Sequence, residues 1–273
     1  GVILSAAKEP FWLGKRMIAV VIPVYNHAEA LDRCLSSLFG QTLRPDFIIV
    51  IDDGSTLGDP EPVLKKWHQA LPLKFVRQEN SGAPAARNKG FSVILEEQSD
   101  DRIPSGSGDP IGRTPASLQD DMVIFCDADV VMNSDCLEKM KRALDENPGA
   151  SYAYSSFKFG FKVFKCGPFD ADRLRQMPYI TTTCLVRTAD FPGFDESLKK
   201  FQDWDLWLTM LDQGKVGVWI PEVLFSAKPR KGGMSTWIPS FMHKIPWPIL
   251  GWTPKEIIKY RTREEIIRQK HAL

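Results

Sequence analysis

Three short apolar runs constrain this chain more than any other feature. Met17–Val24, Phe47–Ile51 and Met122–Cys126 are rich in Val and Ile and carry almost no polar residue. A strand with no polar alternation is buried on both faces, as happens in parallel sheets covered by helices. Helical periodicity follows each run. Glu29–Phe39 places Leu31, Cys34, Leu35, Leu38 and Phe39 on one face, the spacing of a helix packed on a sheet. Val63–Leu71 and Ala83–Glu97 read as further helices, with a short strand, Leu73–Arg77, between them. After the third run, Ser134–Glu146 reads as a helix with Ser134 as its N-cap and Asn147-Pro148-Gly149 as its stop.

Beyond Ala150 the alternation loosens. Ser151–Phe161 and Ile180–Arg187 have strand composition, and Asp203–Leu211 predicts a helix with Leu206, Trp207, Met210 and Leu211 inward. Val216–Ile220 predicts a last short strand, ended by Pro221, and a basic helix follows Pro254. Strand–helix alternation of this kind specifies an α/β fold: a Rossmann-like, mostly parallel sheet flanked by helices. The 273 residues suffice for one large domain or two small ones. Gln98–Asp121 interrupts the order with Gly, Pro, Ser and Asp, and reads as an exposed insertion that cannot bury enough apolar surface to order itself.

The strand ends carry the chemistry. Pro23-Val24-Tyr25-Asn26 follows the first strand, Asp52-Asp53-Gly54-Ser55 the second, and Asp127-Ala128-Asp129 the third long one. Ligands in open α/β sheets bind outside the carboxyl ends of the strands. An acid-x-acid pair there suits a hard divalent cation, Mg²⁺ or Mn²⁺, which takes one or two carboxylates plus substrate phosphates. No Gly-x-Gly-x-x-Gly or Gly-x-x-x-x-Gly-Lys-Ser/Thr follows the first strand, which argues against a dinucleotide oxidoreductase and a P-loop NTPase. The glycine-rich basic loop of a nucleotidyltransferase is missing too.

With Glu79-Asn80-Ser81-Gly82-Ala83-Pro84-Ala85-Ala86-Arg87-Asn88-Lys89-Gly90 between the second and third motifs, the chain resembles the family-two glycosyltransferases of GT-A fold. The resemblance runs over about Ile18–Ser235, and the four-motif combination is far more specific than any part. It implies an inverting, metal-dependent transfer from a nucleotide sugar, most simply UDP-linked, to an acceptor hydroxyl on a glycan, a lipid-linked sugar or a protein. Asp52 or Asp53 would accept the N3–H of uracil, with Pro23, Tyr25, Asn26 and Ser55 lining the base and ribose. Gly82 would let the backbone approach the nucleotide, and Arg87 would reach base or phosphate. Asp129 would ligate the metal, and Asp127 the metal or the ribose. In Phe201-Gln202-Asp203-Trp204-Asp205 the family's Glu-Asp pair becomes Gln-Asp, and Asp203 is the expected general base, with Asp205 as the fallback. Arg230 stands where many relatives place a His, and with Lys228 would contact the diphosphate; guanidinium pairs well with phosphate but cannot ligate a metal. The rival readings are a nucleotidyltransferase on a similar sheet and a non-catalytic nucleotide-sugar binder.

These residues divide the chain into a glycosyltransferase domain, 1–236, with a nucleotide-binding half (17–132) and an acceptor half (133–236), and a tail, 237–273. The tail carries Trp237, Phe241, Trp247 and Trp252 with a basic helix, a composition that suits peripheral contact with an anionic membrane. A formal net charge of +1 gives no field for nucleic acid. Five scattered cysteines read as buried thiols of a reducing compartment, and neither a bilayer-spanning run nor a secretion signal is recognisable. The expected place is the cytoplasm, with the tail either on the cytoplasmic membrane face or packed on its own domain with its basic helix solvated.

Overall fold

Val20, Val21 and Ile22 are all fully buried, so β1 (Ile18–Val24) is covered on both faces. The computed structural model describes residues 17–100, 121–228, 247 and 254–273. On one side of the sheet Val20 and Ile22 meet Leu31, Leu35 and Met140; on the other Val21 meets Ala86, Val93 and Ile94. The two clusters belong respectively to α1 (Ala28–Phe39) with α4 (Cys136–Glu146), and to α3 (Ala83–Asp100).

β2 (Phe47–Asp53), β3 (Leu73–Gln78) and β4 (Met122–Phe125) join β1 in parallel, in the order β3-β2-β1-β4. The chain moves outward from β1 to β3 and then returns to β1's other side. The point where that direction reverses, between β1 and β4, is where open α/β sheets bind ligands.

The rest of the chain extends the same sheet with mixed direction. β5 (Val130–Met132), β6 (Tyr152–Phe159), β8 (Leu185–Arg187) and β9 (Gly217–Ala227) complete the order β4-β8-β6-β9-β5, and β7 (Lys162–Phe164) pairs with β6. β6 and β9 run parallel, whereas β4–β8, β6–β8 and β5–β9 are antiparallel. Helices α5 (Ala171–Gln176), α6 (Gln202–Asp212) and α7 (Lys255–Lys270) flank this part, and α4 packs on its strands as well. α2 (Glu61–Trp67) covers the β2–β3 connection.

Several boundaries differ from those expected. Pro221 does not end the last strand, because β9 continues to Ala227. The pairing steps from Ser155–Ile220 to Ser156–Val223, so a bulge takes Pro221 and Glu222 out of the ladder, which is how a sheet tolerates a proline. Ser134 is not the N-cap of α4. Asp135 holds that position without a side-chain cap bond, and the Ser134 carbonyl instead accepts from the Thr42 N–H at 2.7 Å. The second helix covers Glu61–Trp67 rather than Val63–Leu71, and only Leu185–Arg187 of the Ile180–Arg187 run pairs as strand. The insertion expected at 98–121 falls mostly outside the described residues, as does most of the tryptophan-rich tail.

Candidate functional site

Asp127 leaves β4 at the sheet's reversal point, and Arg87 reaches it from the first turns of α3. Arg87 Nη2 donates to Asp127 Oδ1 at 2.6 Å, and Arg87 Nη1 donates to Gln202 Oε1 at 3.1 Å. The guanidinium lies 5.3 Å from the Phe194 ring centre. Its side chain is 6% exposed, so it is not the surface arginine that helix position alone suggests. The donor-half acid is thereby tied to the first residue of α6, next to Asp203. Among the described residues, Asp127 Oδ2 takes no partner, and Arg87 Nε is buried without one.

Asp203 occupies the first turn of α6 and lines a cavity of about 460 Å³ with Tyr179, Phe201 and Tyr260. Lost hydration pushes its carboxyl above the ordinary aspartate range, against the pull of the Trp204 N–H and the Arg87 charge. Asp127 adds to the upward push. Phe201, just before the helix, sits at φ 59°, a left-handed conformation that is costly for a bulky residue. Edge-on contacts hold it there, with Tyr260 at 5.0 Å and Trp204 at 5.8 Å between ring centres. The strained residue fixes where α6, and so Asp203, begins.

The β2 exit loop forms a second network. Asp52 is fully buried; its Oδ1 accepts the Ser55 N–H at 3.0 Å and its Oδ2 the Arg77 Nε–H at 2.7 Å. Asp53 points to the 78–82 loop, accepting from Gln78 Nε2 and the N–H groups of Ser81 and Gly82 at 2.8–2.9 Å. Gly54 (φ 73°) and Gly82 (φ 92°) take the left-handed region that favours glycine. A Cβ on Gly54 would also lie 2.8 Å from the Asn80 nitrogen. Asn26, at φ 54°, accepts the Thr56 and Leu57 N–H groups on its amide oxygen and donates its own backbone N–H to Ser55 Oγ. Asn26 and Ser55 therefore brace the β1 and β2 loops against each other. Tyr25, beside Asn26, is 45% exposed, and its ring is open to a planar ligand.

Asp129 lines a second cavity, about 380 Å³, with Asn26, His27, Glu29, Arg33 and Lys228. No three His, Cys, Asp or Glu residues come together as a metal cluster among the described residues. Asp127 and Asp129, two residues apart in sequence beyond β4, are carboxylates of the chemistry a hard cation takes when a diphosphate supplies its remaining oxygens, but Asp127 bonds Arg87 while Asp129 lines a cavity of its own. Arg230 lies outside the described residues; Lys228 is described and exposed.

Residues 19–97, the part holding β1, β2, β3 and most of α3, match the family described as Glycosyl transferase family 2. Over those residues the chain is similar to the family 2 glycosyltransferases. Glycosyltransferase GlyA of Streptococcus pneumoniae is 37% identical over 75 residues, 28% of this chain and 11% of GlyA. The chain thus spans about a tenth of that relative's length. Among solved structures, S. aureus TarS 1-349 in complex with UDP-GlcNAc superposes with a TM-score of 0.61 at 20% identity, covering 93% of this chain and 71% of that one. Mannosyltransferase PcManGT from Pyrobaculum calidifontis, in complex with GDP-Man and Mn²⁺, gives 0.54 at 16% identity, covering 83% and 60%. Both share the GT-A arrangement described above.

Three members of this candidate site have roles that leave no mark in the sequence. Gln202 is legible as a departure from Glu-Asp, but not as the partner of Arg87. Phe201 reads as an ordinary apolar residue, because nothing in sequence marks a left-handed phenylalanine. Tyr260 comes from a helix that composition assigns to the tail, yet it stands beside Asp203 in the same cavity.

Proposed function

We propose that the protein is an inverting glycosyltransferase that moves a sugar from a nucleotide-sugar donor, most simply UDP-linked, to an acceptor hydroxyl. The Arg87 bridge carries this reading, because it fastens the donor acid Asp127 to the helix that begins at Gln202-Asp203. Donor and acceptor chemistry then meet across one buried guanidinium. The uracil ring would stack on Tyr25, with Asp52 or Asp53 receiving its N3–H, and the loops braced by Asn26, Ser55 and Gly82 would enclose it; Pro23 lies in β1 beneath, one residue before the strand ends.

Asp203 is the base of the proposed reaction. Its carboxylate takes the proton of the acceptor hydroxyl as that oxygen attacks the anomeric carbon from the face opposite the leaving diphosphate. A carboxyl raised by lost hydration is better matched to this proton transfer than a solvated one. A single displacement inverts the linkage, so the site needs one carboxylate base and no second carboxyl as nucleophile. Arg87 shares its charge between Asp127 and a neutral Gln202, leaving part of it available to the departing phosphates. Asp129, with Asp127, would hold a divalent ion whose charge offsets that of the leaving diphosphate. The TarS and PcManGT complexes with UDP-GlcNAc, and with GDP-Man and Mn²⁺, support a nucleotide-sugar donor and a divalent ion.

A thermal-shift panel of UDP-, GDP- and CMP-sugars, with Mn²⁺ and with chelator, tests the donor reading. Melting should rise with a UDP-sugar and Mn²⁺, and the rise should shrink on chelation and in Asp129→Ala. A rise unaffected by both would remove Asp129 from the metal role, and no rise with any nucleotide sugar would sink the donor reading.

A further inference from the structure

The cavity that holds Asp203 is positively charged beyond what its own acid balances. Lys165, Arg173, Lys199 and Lys200 line it, and among the described residues Asp203 is its single carboxylate. The other cavities balance differently: Asp129 and Glu29 face Arg33 and Lys228 in one, and Asp32 faces Arg33 and Lys66 in another. Among the described residues, no carboxylate pairs with Lys165, Lys199, Lys200 or Arg173. Arg173 lies 4.1 Å from the Tyr179 ring centre and donates from Nη1 to the Cys166 carbonyl. Lys200 is part-buried, and lost hydration together with the charges of Arg263 and Lys259 on α7 depresses its pKa, against Glu256. Folding has gathered these cations against their mutual repulsion, an arrangement that an anion would relieve.

The apolar walls define the rest of the ligand. Phe157, Phe164, Phe201 and Tyr260 offer ring faces and edges of the kind that cover the C–H faces of a sugar or polyol. Several cations around one space suit the three oxygens and double charge of a phosphate better than a single carboxylate.

We propose that the acceptor is a phosphate ester, with a sugar or polyol hydroxyl at Asp203 and its phosphate on the rim formed by Lys165, Arg173 and Lys200. This rests on the reading of the Asp203 cavity as the acceptor side. The phosphate can belong to a soluble sugar phosphate or to a lipid-linked one, since both present the same ester to the rim.

Calorimetric titration of the full chain separates the two readings. UDP with Mn²⁺ is titrated first and reports on the donor site alone. The UDP-saturated protein then receives glucose 1-phosphate and dodecyl phosphate, against glucose, dodecyl glucoside and glucuronate. One of the phosphate esters should bind at least roughly tenfold tighter than its neutral counterpart, a difference of about 1.4 kcal/mol. Preference for glucose 1-phosphate would mark a soluble acceptor and preference for dodecyl phosphate a lipid-linked one. Lys200→Glu should erase the gap with UDP affinity unchanged, and the exposed Lys165→Glu should narrow it even where Lys200→Glu fails to fold. Equal binding of ester and neutral compound, tighter binding of glucuronate, or a gap that survives both variants would overturn the phosphate assignment. Failure of UDP to bind would instead overturn the donor reading.

Discussion

Arg87 is the residue on which the two halves of the site meet. Its charge is nearly buried and is neutralised by Asp127 alone, because Gln202 contributes only an amide oxygen. Removing a buried cation strands its partners, so Arg87→Ala should cost about 1–3 kcal/mol in chemical denaturation. Arg87→Lys should retain the charge but lose one of the two bonds, because an ammonium lacks the planar fork. Its denaturation midpoint should lie between those of the native chain and Arg87→Ala. Asp203 gives a pH prediction with a definite sign. Its folded pKa lies above that of the unfolded chain, so its stability contribution is present at low pH and is lost as pH rises through the folded value. Above the folded value the ionised side chain is destabilising, and there Asp203→Asn should melt no lower than the native protein. Activity runs the other way. In the proposed reaction the base must be ionised, so the acidic limb of kcat/KM should fall above the ordinary aspartate range, and a limb at the ordinary value would contradict the desolvated carboxylate.

At the scale of elements, the donor half was the more legible in sequence. Fully buried parallel strands leave unbroken apolar runs, and β1, β2 and β4 appear where those runs stand. The motifs at their ends were legible for the same reason, since strand ends in such a sheet face one edge. The acceptor half hid its pairing, because its strands mix directions and β9 passes Pro221 by a bulge. Side-chain partners such as Arg77 on Asp52, or Gln202 on Arg87, lie 25 and 115 residues apart and leave no local pattern. Gly90 shows how closely α3 is seated: a Cβ there would come within 2.3 Å of Val21 Cγ1. Gly90→Ala should therefore destabilise the protein by about 1–3 kcal/mol, although alanine favours a helix. A neutral or stabilising effect in urea denaturation would show that α3 is not packed on β1 as described.

At the scale of the molecule, α7 folds back onto the acceptor half and finishes its cavity. Ile257 and Ile267 are fully buried. Lys270 reaches Asp195 and Asp205 at 2.7 and 2.8 Å, and His271 lies between Asp205 and Asp212 at 2.9 and 3.0 Å. Part of the basic character that suggests a membrane contact is thus spent within the chain, and no helix among the described residues is long and apolar enough to cross a membrane. Ile267→Asp would bury an unpaired charge costing several kcal/mol, so it should lower the melting temperature and loosen the wall around Tyr260. An unchanged melting temperature would show that α7 does not hold this position. The central claim is that one carboxylate, joined to the donor half through Arg87, activates an acceptor hydroxyl. Its most direct test is UDP release from a UDP-sugar by Asp203→Asn, measured beside UDP affinity in the same preparation. Turnover should vanish while UDP affinity remains; turnover at the native rate would move the base elsewhere and contradict the account.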